Sequence, residues 1–452
     1  MFDLQEIAAI TGGRLLSEQA ASVRPKRFVH DSRLVETGDL FVALSGEHTD
    51  GHAFIVDAFE RGACAALVAE PGEAPSGTSN HVVVPDVLCA LQAVACAWRT
   101  RLSGTFIAIT GSNGKTTTRA LLAHLLGSLP EAYEAPKNFN TEIGLPLAIL
   151  AMPETARVGV FELGADRPGD IGKLAEILCP DLGIITSVGP SHLDRFDSVE
   201  RVAAEKASLA EALPDNGLLL VNADSEPLAQ LLDEASSPCR LVRAGLDRGD
   251  IVAKVECSVP RIELVVDRPT LRLTAPLLGR HNARNLLLAA LAALELGVPR
   301  ETIAQRATSF IPVDHRLQEL DAPFGTILDD TYNANPASTK EALRVLAGFG
   351  SASALRAFVF GDMRDLGLIS DAEHRHMAEF ALGLGIDRIF PVGDLASSAC
   401  RATAPAVSRF VRRPELARAI VEEARGETVV LVKGSRTLTL EDLVAELRAA
   451  AT

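Results

Sequence analysis

The chain is short of the features that mark nucleic-acid binders, membrane spans and disulfide scaffolds. Lys and Arg number 44 against 59 Asp and Glu, a net charge of −15. Neither a nucleic acid nor an anionic lipid surface meets a basic field here. The seven cysteines (Cys64, Cys89, Cys96, Cys179, Cys239, Cys257 and Cys400) are odd in number, scattered and form no CxxC pair. They read as buried apolar residues in a reducing compartment, neither disulfides nor zinc ligands. The longest strongly apolar run, LLLAALAAL at 286–294, is ended by Glu295 and is too short for a bilayer. The start, MFDLQEIAAITGG, has no basic segment of the kind that opens a signal peptide. Low-complexity tracts and short internal repeats are missing too. The expectation is a soluble, cytoplasmic protein without membrane insertion or a nucleic-acid partner.

The most informative stretch is TGSNGKTTT at 110–118, set between the apolar run FIAI at 106–109 and the helix-like RALLAHLLGSL. A strand, a small-residue turn, a lysine, hydroxyls and a helix make a site for nucleotide phosphates. Backbone N–H groups of Gly111, Ser112, Asn113 and Gly114 and the helix N-terminus favour an anion. Lys115 adds a point charge, the Thr116 hydroxyl can ligate Mg²⁺, and Thr117 follows in the same turn. The strict P-loop spelling is not met, because Ile109 stands where its first glycine belongs.

At 452 residues the chain is too long for one core. Strand-like runs alternate with helical patterns almost throughout, which points to α/β architecture with parallel sheets. Three domains are expected: 1–102, 103–312 and 313–452. VGVFEL (158–163), LGIITSV (182–188) and GLLLVNA (217–223) read as further strands of the second. IVAKVECSV and IELVV, between about 250 and 275, read as antiparallel strands of a small side sheet. In the third, TILDD leads into STKEALRVLAGF, where Ser338 and Glu341 have capping-box spacing.

In a doubly wound sheet the carboxyl ends of the strands line the ligand crevice. Glu162 ends VGVFEL there, and a carboxylate at that place completes the Mg²⁺ shell begun by Thr116. His192, in SVGPSHLD, lies past the next strand and is read as close to a second magnesium. Lys206, in SVERVAAEKASLAEAL, is on pattern alone a surface lysine. Asn282 in GRHNARN (279–285) is on pattern alone a helix N-cap.

The TG-[ST]-NGK-T loop resembles that of the Mur ligase superfamily, the ATP-dependent ligases that build the peptidoglycan stem peptide. The resemblance runs from residue 30 to 436. It implies a central doubly wound P-loop-type parallel sheet domain, an α/β N-terminal domain for the UDP-MurNAc-peptide, and a Rossmann-like α/β C-terminal domain that closes on ATP. Lys206 takes the place of a lysine that carries a carbamate made from CO₂, although Ala204 and Ser208 depart from the commoner AK-x-K-x-E flanks. Asn285, with Asn282 nearby, is implied to face adenine. Arg316 in HRLQ is implied to reach the γ-phosphate on closure, with His315 where the family usually has glycine. In LDDTYNANPAST (328–339), Asp330 is implied to bond ribose, and Tyr332, Asn333 and Asn335 to shape the closed site. Ser32 and Arg33, in HDSRLVETGDLFVALSGEHTDGHAFI (30–55), are implied to meet the UDP end of the substrate. Asn140 and Thr141, in KNFNTEIGLPLAIL (137–150), are implied to meet nucleotide and UDP-sugar, with Asn138 less direct.

YNANP, GDMRDLG (361–367), KGSR (433–436) and ELGADRPGDI (162–171) resemble the branch that joins D-alanyl-D-alanine to UDP-MurNAc-tripeptide. The DNPR motif of the sibling that adds a diamino acid is missing. Arg364, Lys433, Ser435 and Arg436 are implied to grip the dipeptide or the acyl phosphate, Lys115, Lys206, His192 and Arg316 to carry the catalysis, and the chain to act as a monomer. A sibling ligase, one acting on a folate-like acceptor included, and a non-catalytic nucleotide-binding scaffold stay open as alternatives. The intact Lys115, Glu162 and Arg316 count against the scaffold.

Overall fold

The computed structural model describes residues 1–46, 49–69, 80–127, 129, 132–234 and 239–450. Residues 47 and 48 of the 30–55 motif lie outside them. The first sheet pairs β1 (Arg14–Leu15), β2 (Phe28–Val29), β3 (Leu40–Val42), β4 (Ala65–Val68) and β5 (His81–Val83) in the order β1-β5-β4-β3-β2. It is parallel except where β1 joins β5.

The central sheet holds β6 (Thr105–Thr110), β7 (Ala132–Glu134), β8 (Val158–Glu162), β9 (Leu182–Ile185), β10 (Leu218–Asn222), β11 (Arg240–Gly245), β12 (Ile251–Cys257), β13 (Ile262–Val266) and β14 (Leu271–Ala275). Their order is β14-β13-β12-β11-β10-β9-β6-β8-β7. Phe106, Ile107, Ala108 and Ile109 of β6 are fully buried, as a parallel strand covered on both faces requires. Pairing is parallel from β7 to β12 and antiparallel from there to β14. The expected separate side sheet is therefore corrected. Because β12 pairs in parallel with β11, those strands extend the main sheet instead of forming their own.

β6 lies between β8 and β9, so the chain leaves it toward both edges. That is a topological switch point, where a crevice opens at the carboxyl ends of the strands. The helix Lys115–Leu126 follows β6 and packs Leu121, Leu122 and Leu125 into one core with Leu286, Leu287 and Leu288 of the helix Arg280–Glu295. Each fully buried leucine there contributes about 1.5–3 kcal/mol. The helix Val87–Arg101 ties the first sheet to the second: Trp98 Nε1 donates to the Met152 carbonyl at 3.2 Å, and Arg99 Nε to that of Leu178 at 2.7 Å.

The third sheet holds β15 (Gln318–Ala322), β16 (Gly325–Asp330), β17 (Leu355–Gly361), β18 (Arg388–Val392) and β19 (Thr428–Lys433), ordered β15-β16-β19-β17-β18. Only β15 is antiparallel to its neighbour. The expected Ser338–Glu341 cap is also corrected. Asn335 caps the helix Pro336–Gly348, accepting from the Ser338 N–H while the Ser338 hydroxyl accepts from the Asn335 N–H. Pro336 at the first helical position moves the start of the helix forward, and Glu341 faces His281 and Arg344 instead.

Candidate active site

The phosphate loop is held by the segment that follows β9. Ser112 N–H donates to the Ser187 carbonyl at 2.8 Å, and Asn113 N–H to the Ser187 hydroxyl at 3.1 Å. Gly114, at φ +86°, leads into the helix Lys115–Leu126, whose N-terminus carries no side-chain cap. A Cβ on Gly114 would sit 2.5 Å from Asn285 Oδ1, so glycine is required both for the turn and for the approach of that helix. The uncapped N–H groups leave an anion-binding end.

A cavity of about 190 Å³ opens above this loop. Ser112, Asn113, Gly114, Lys115, Thr116 and Thr117 line it, with Asn138, Asn140, Glu162 and His192 from the same domain. Asn282 and Asn285 come from the helix Arg280–Glu295, and Arg316, Asp330, Tyr332, Asn333, Asn335 and Lys433 from the C-terminal domain. Residues far apart in sequence, drawn from two sheets, thus face one space. Gly111 lies beneath the loop, its carbonyl accepting from Lys115 Nζ at 2.6 Å. Lys115 and Arg316 are each partly exposed on the wall. Crowding by protein holds both below their ordinary pKa, their mutual repulsion adds to the depression of Lys115, and Glu162 opposes it in each.

Glu162 is buried at the floor, its Oε2 accepting from Thr116 Oγ1 at 3.2 Å. Its Oε1 is buried without a hydrogen bond, 2.8 Å from Arg119 Nε. Glu162 Oε2 and the Thr116 hydroxyl make a hard-oxygen pair of the kind magnesium takes, with phosphates and water supplying the rest. Among the described residues no cluster of three or more His, Cys, Asp or Glu could hold a metal alone. His192, at φ +51°, faces Asp166 at 3.5 Å and Asp365 at 4.0 Å.

Lys206 departs from the surface position its pattern suggested. It is 3 % exposed, and burial first, then the nearby Lys115, bring its pKa down to about 7. Glu205, beside it, accepts from the Gly169 and Ile171 N–H groups at 2.7 Å each, anchoring the helix Val199–Ala207 to the neighbouring one.

The C-terminal residues reach the phosphate loop directly. Asn113 and Asn335 exchange amide hydrogen bonds at 2.7 and 3.4 Å. Tyr332 donates its hydroxyl to Asn138 Oδ1 at 2.6 Å, and the Arg316 guanidinium stacks 3.7 Å from its ring centroid. Lys433, fully buried, pairs with Asp330 at 2.6 Å and donates to the Asn333 carbonyl. Burial holds its pKa down, against the pull of Asp330. His315 has φ +61°, the left-handed backbone that glycine adopts freely, and its Nδ1 lies 2.8 Å from the buried Asp329. Arg436 lines a neighbouring 250 Å³ cavity that shares Thr116, Asn138, Arg316 and Tyr332 with the first.

Other candidates lie off the cavity wall. Ser32 is buried in the first sheet's domain, and Arg33 is exposed and paired with Asp31 at 2.7 Å. Thr141 caps a turn for Gly144, Ser435 is buried with its N–H on the Asp362 carbonyl, and Arg364 is exposed. Asn282 is not the N-cap, which is Gly279. Its Nδ2 donates to the Leu278 carbonyl, and its Oδ1 accepts from Asn285. Asn138 faces the cavity directly, and His281 joins it there, a residue that GRHNARN contains but that pattern does not single out.

Three family models match: "Mur ligase family, catalytic domain" over residues 28–99, "Mur ligase middle domain" over 109–293, and "Mur ligase, glutamate ligase domain" over 315–436. A Bacillus subtilis protein named UDP-N-acetylmuramoyl-tripeptide–D-alanyl-D-alanine ligase is 31% identical, with 98% of each chain covered. The Escherichia coli protein of that name is 30% identical, again over 98% of each. Among solved structures, MurF from Acinetobacter baumannii superposes with a TM-score of 0.88 at 28% identity, covering 99% of both chains. The MurF ligase of Thermotoga maritima in complex with ADP gives 0.82 at 26% identity, covering 93% of this chain and 97% of that one.

Proposed function

The chain belongs to the Mur ligase family, and from that membership and the cavity we propose that it joins D-alanyl-D-alanine to UDP-MurNAc-tripeptide while splitting ATP to ADP and phosphate. The observation that carries the reading is the convergence of Lys115, Thr116, Glu162, Arg316 and Lys433 on one cavity between two sheets. Relatives alike over nearly the full chain bear that ligase name, which favours the dipeptide over a diamino acid.

The tripeptide carboxylate attacks the γ-phosphorus, giving an acyl phosphate and releasing ADP. The dipeptide amine then attacks the activated carbonyl, and phosphate leaves from the tetrahedral intermediate. Lys115 and Arg316 offset charge on the transferring phosphoryl group, which is positioning and electrostatics more than covalent help. Thr116 and Glu162 would hold magnesium, with His192 beside a second ion. Magnesium, when bound, neutralises the phosphate oxygens. Asn285 faces the adenine, with Asn282 nearby, and Asp330 bonds the ribose while it also holds Lys433. Lys206 is half neutral near pH 7 and mostly so a unit above it, the form that adds CO₂ to give a carbamate and a proton. Tyr332, Asn333 and Asn335 wall the site, where water must be kept from the acyl phosphate.

Residues 1–102 hold the UDP end through Ser32 and Arg33, with Asn140 and Thr141 of the central domain (103–312) beside them. Residues 313–452 close over the nucleotide and hold the dipeptide through Arg364, Lys433, Ser435 and Arg436. The enzyme acts as a cytoplasmic monomer. The test is phosphate release from ATP with UDP-MurNAc-tripeptide, with and without D-alanyl-D-alanine, against single D- and L-amino acids. Release that needs tripeptide and dipeptide together supports the reading. Release with UDP-MurNAc-dipeptide and a diamino acid moves it to the sibling ligase, and ATP binding without turnover on any acceptor makes it a scaffold.

A further inference from the structure

Arg119 is a fully buried arginine, 2 % exposed, in the helix that starts at Lys115. A buried guanidinium stays charged and is retained only with partners. Its Nε lies 2.8 Å from Glu162 Oε1, its Nη1 lies 3.3 Å from Glu134 Oε1, and the same Nη1 donates to the Ala135 carbonyl. Glu134 ends β7, and Ala135 opens the loop that carries Asn138 and Asn140 to the cavity. One cation therefore ties the end of β8 to the loop after β7, directly behind the Thr116 hydroxyl.

We propose that Arg119 is the positioning residue of the metal–nucleotide site, holding the Glu162 carboxylate in place at the cavity floor from behind. This rests on the reading of Glu162 as a magnesium ligand. Among the described residues Thr116 is the one hydrogen-bond donor to Glu162, and that hydroxyl is itself a ligand candidate, so it does not fix the carboxylate alone. The contact with Arg119 supplies the missing restraint, and partners of this kind are worth about 10–100-fold in metal affinity.

The test is calorimetric titration of the full chain with ADP over a series of Mg²⁺ concentrations, which gives the Mg²⁺ midpoint of the binding enhancement without turnover. Arg119→Met is expected to raise that midpoint about tenfold or more and leave metal-free ADP binding unchanged. Arg119→Lys restores most of it. In a Glu162→Gln background, Arg119→Met adds nothing. That double variant leaves no unpaired buried ion, so it keeps the test open if Arg119→Met does not fold. An unchanged midpoint in folded Arg119→Met, an equal loss of metal-free binding, or a further loss in the double variant overturns the proposal. A Glu162→Gln midpoint equal to the parent's instead overturns the reading of Glu162 itself.

Discussion

Replacing Lys206 with methionine keeps the length of the side chain and removes its amine. With its pKa brought from 10.5 to about 7, the buried lysine is a neutral amine in the folded chain between pH 7 and 10.5, where the unfolded chain would hold a proton. Between pH 7 and 10.5 the unfolded state binds more protons, so stability rises with pH across that window and is flat below it. At 1.36 kcal/mol per unit, the native lysine costs about 4–5 kcal/mol at pH 7, about 2 at pH 9 and almost nothing above pH 10.5. In CO₂-free buffer, Lys206→Met is therefore more stable than the parent, most of all at and below neutrality. A domain of this size gains about 2–4 °C per kcal/mol, so the gap between the two should narrow by about 5–9 °C from pH 7 to pH 9. Scanning calorimetry of the central-domain transition reads it. A gap that stays constant with pH, or a variant that melts lower at pH 7, rules out a buried neutral amine at this position. The same shift makes the lysine neutral in roughly nine molecules of ten at pH 8, against about one in 300 for an ordinary lysine. Bicarbonate at pH 8 is then expected to raise the melting temperature of the parent and leave that of the variant unchanged.

Lys433→Met leaves Asp330 as a half-buried anion without its cation and is expected to destabilise the C-terminal domain by about 3–5 kcal/mol, with Asp330→Asn/Lys433→Met recovering most of it, as read by denaturant melts. Asn113→Ala and Asn335→Ala each remove both amide bonds between the phosphate loop and the C-terminal domain. A double-mutant cycle on the inactivation temperature should give a coupling of about 0.5–3 kcal/mol, and zero coupling would sink the link. Tyr332→Phe loses the bond to Asn138 but keeps the stack on Arg316, so KM for ATP is expected to hold while kcat falls about tenfold or less; a larger rise in KM than fall in kcat contradicts this.

The phosphate loop, the strand-end Glu162 and the α/β alternation could be read from the sequence because each is written in a few adjacent residues. Lys206 could not be read so. Its helix carries Glu200, Arg201, Glu205 and Lys206 in a pattern that looks solvated, and the packing of the helices Asp170–Leu178 and Glu226–Glu234 against it buries the lysine. Arg119 escaped notice for the same reason, since its partners at 134, 135 and 162 come together only once β7 and β8 pair. The register of β12 against β11 was hidden too, because the alternating pattern of the strands after it is that of any antiparallel hairpin. His315 shows the reverse case. Its departure from glycine was visible, but the backbone at φ +61° and the Asp329 contact that tolerate it were not.

In the proposed reaction the cavity activates the tripeptide by moving phosphate onto its carboxylate. The most direct test is to run the ligation with UDP-MurNAc-tripeptide carrying ¹⁸O at both oxygens of the reacting carboxylate and to weigh the phosphate released. One ¹⁸O per phosphate is the predicted result, since the carboxylate oxygen that attacks phosphorus leaves with it. Phosphate without label, with the departing ¹⁸O found in water instead, would contradict it.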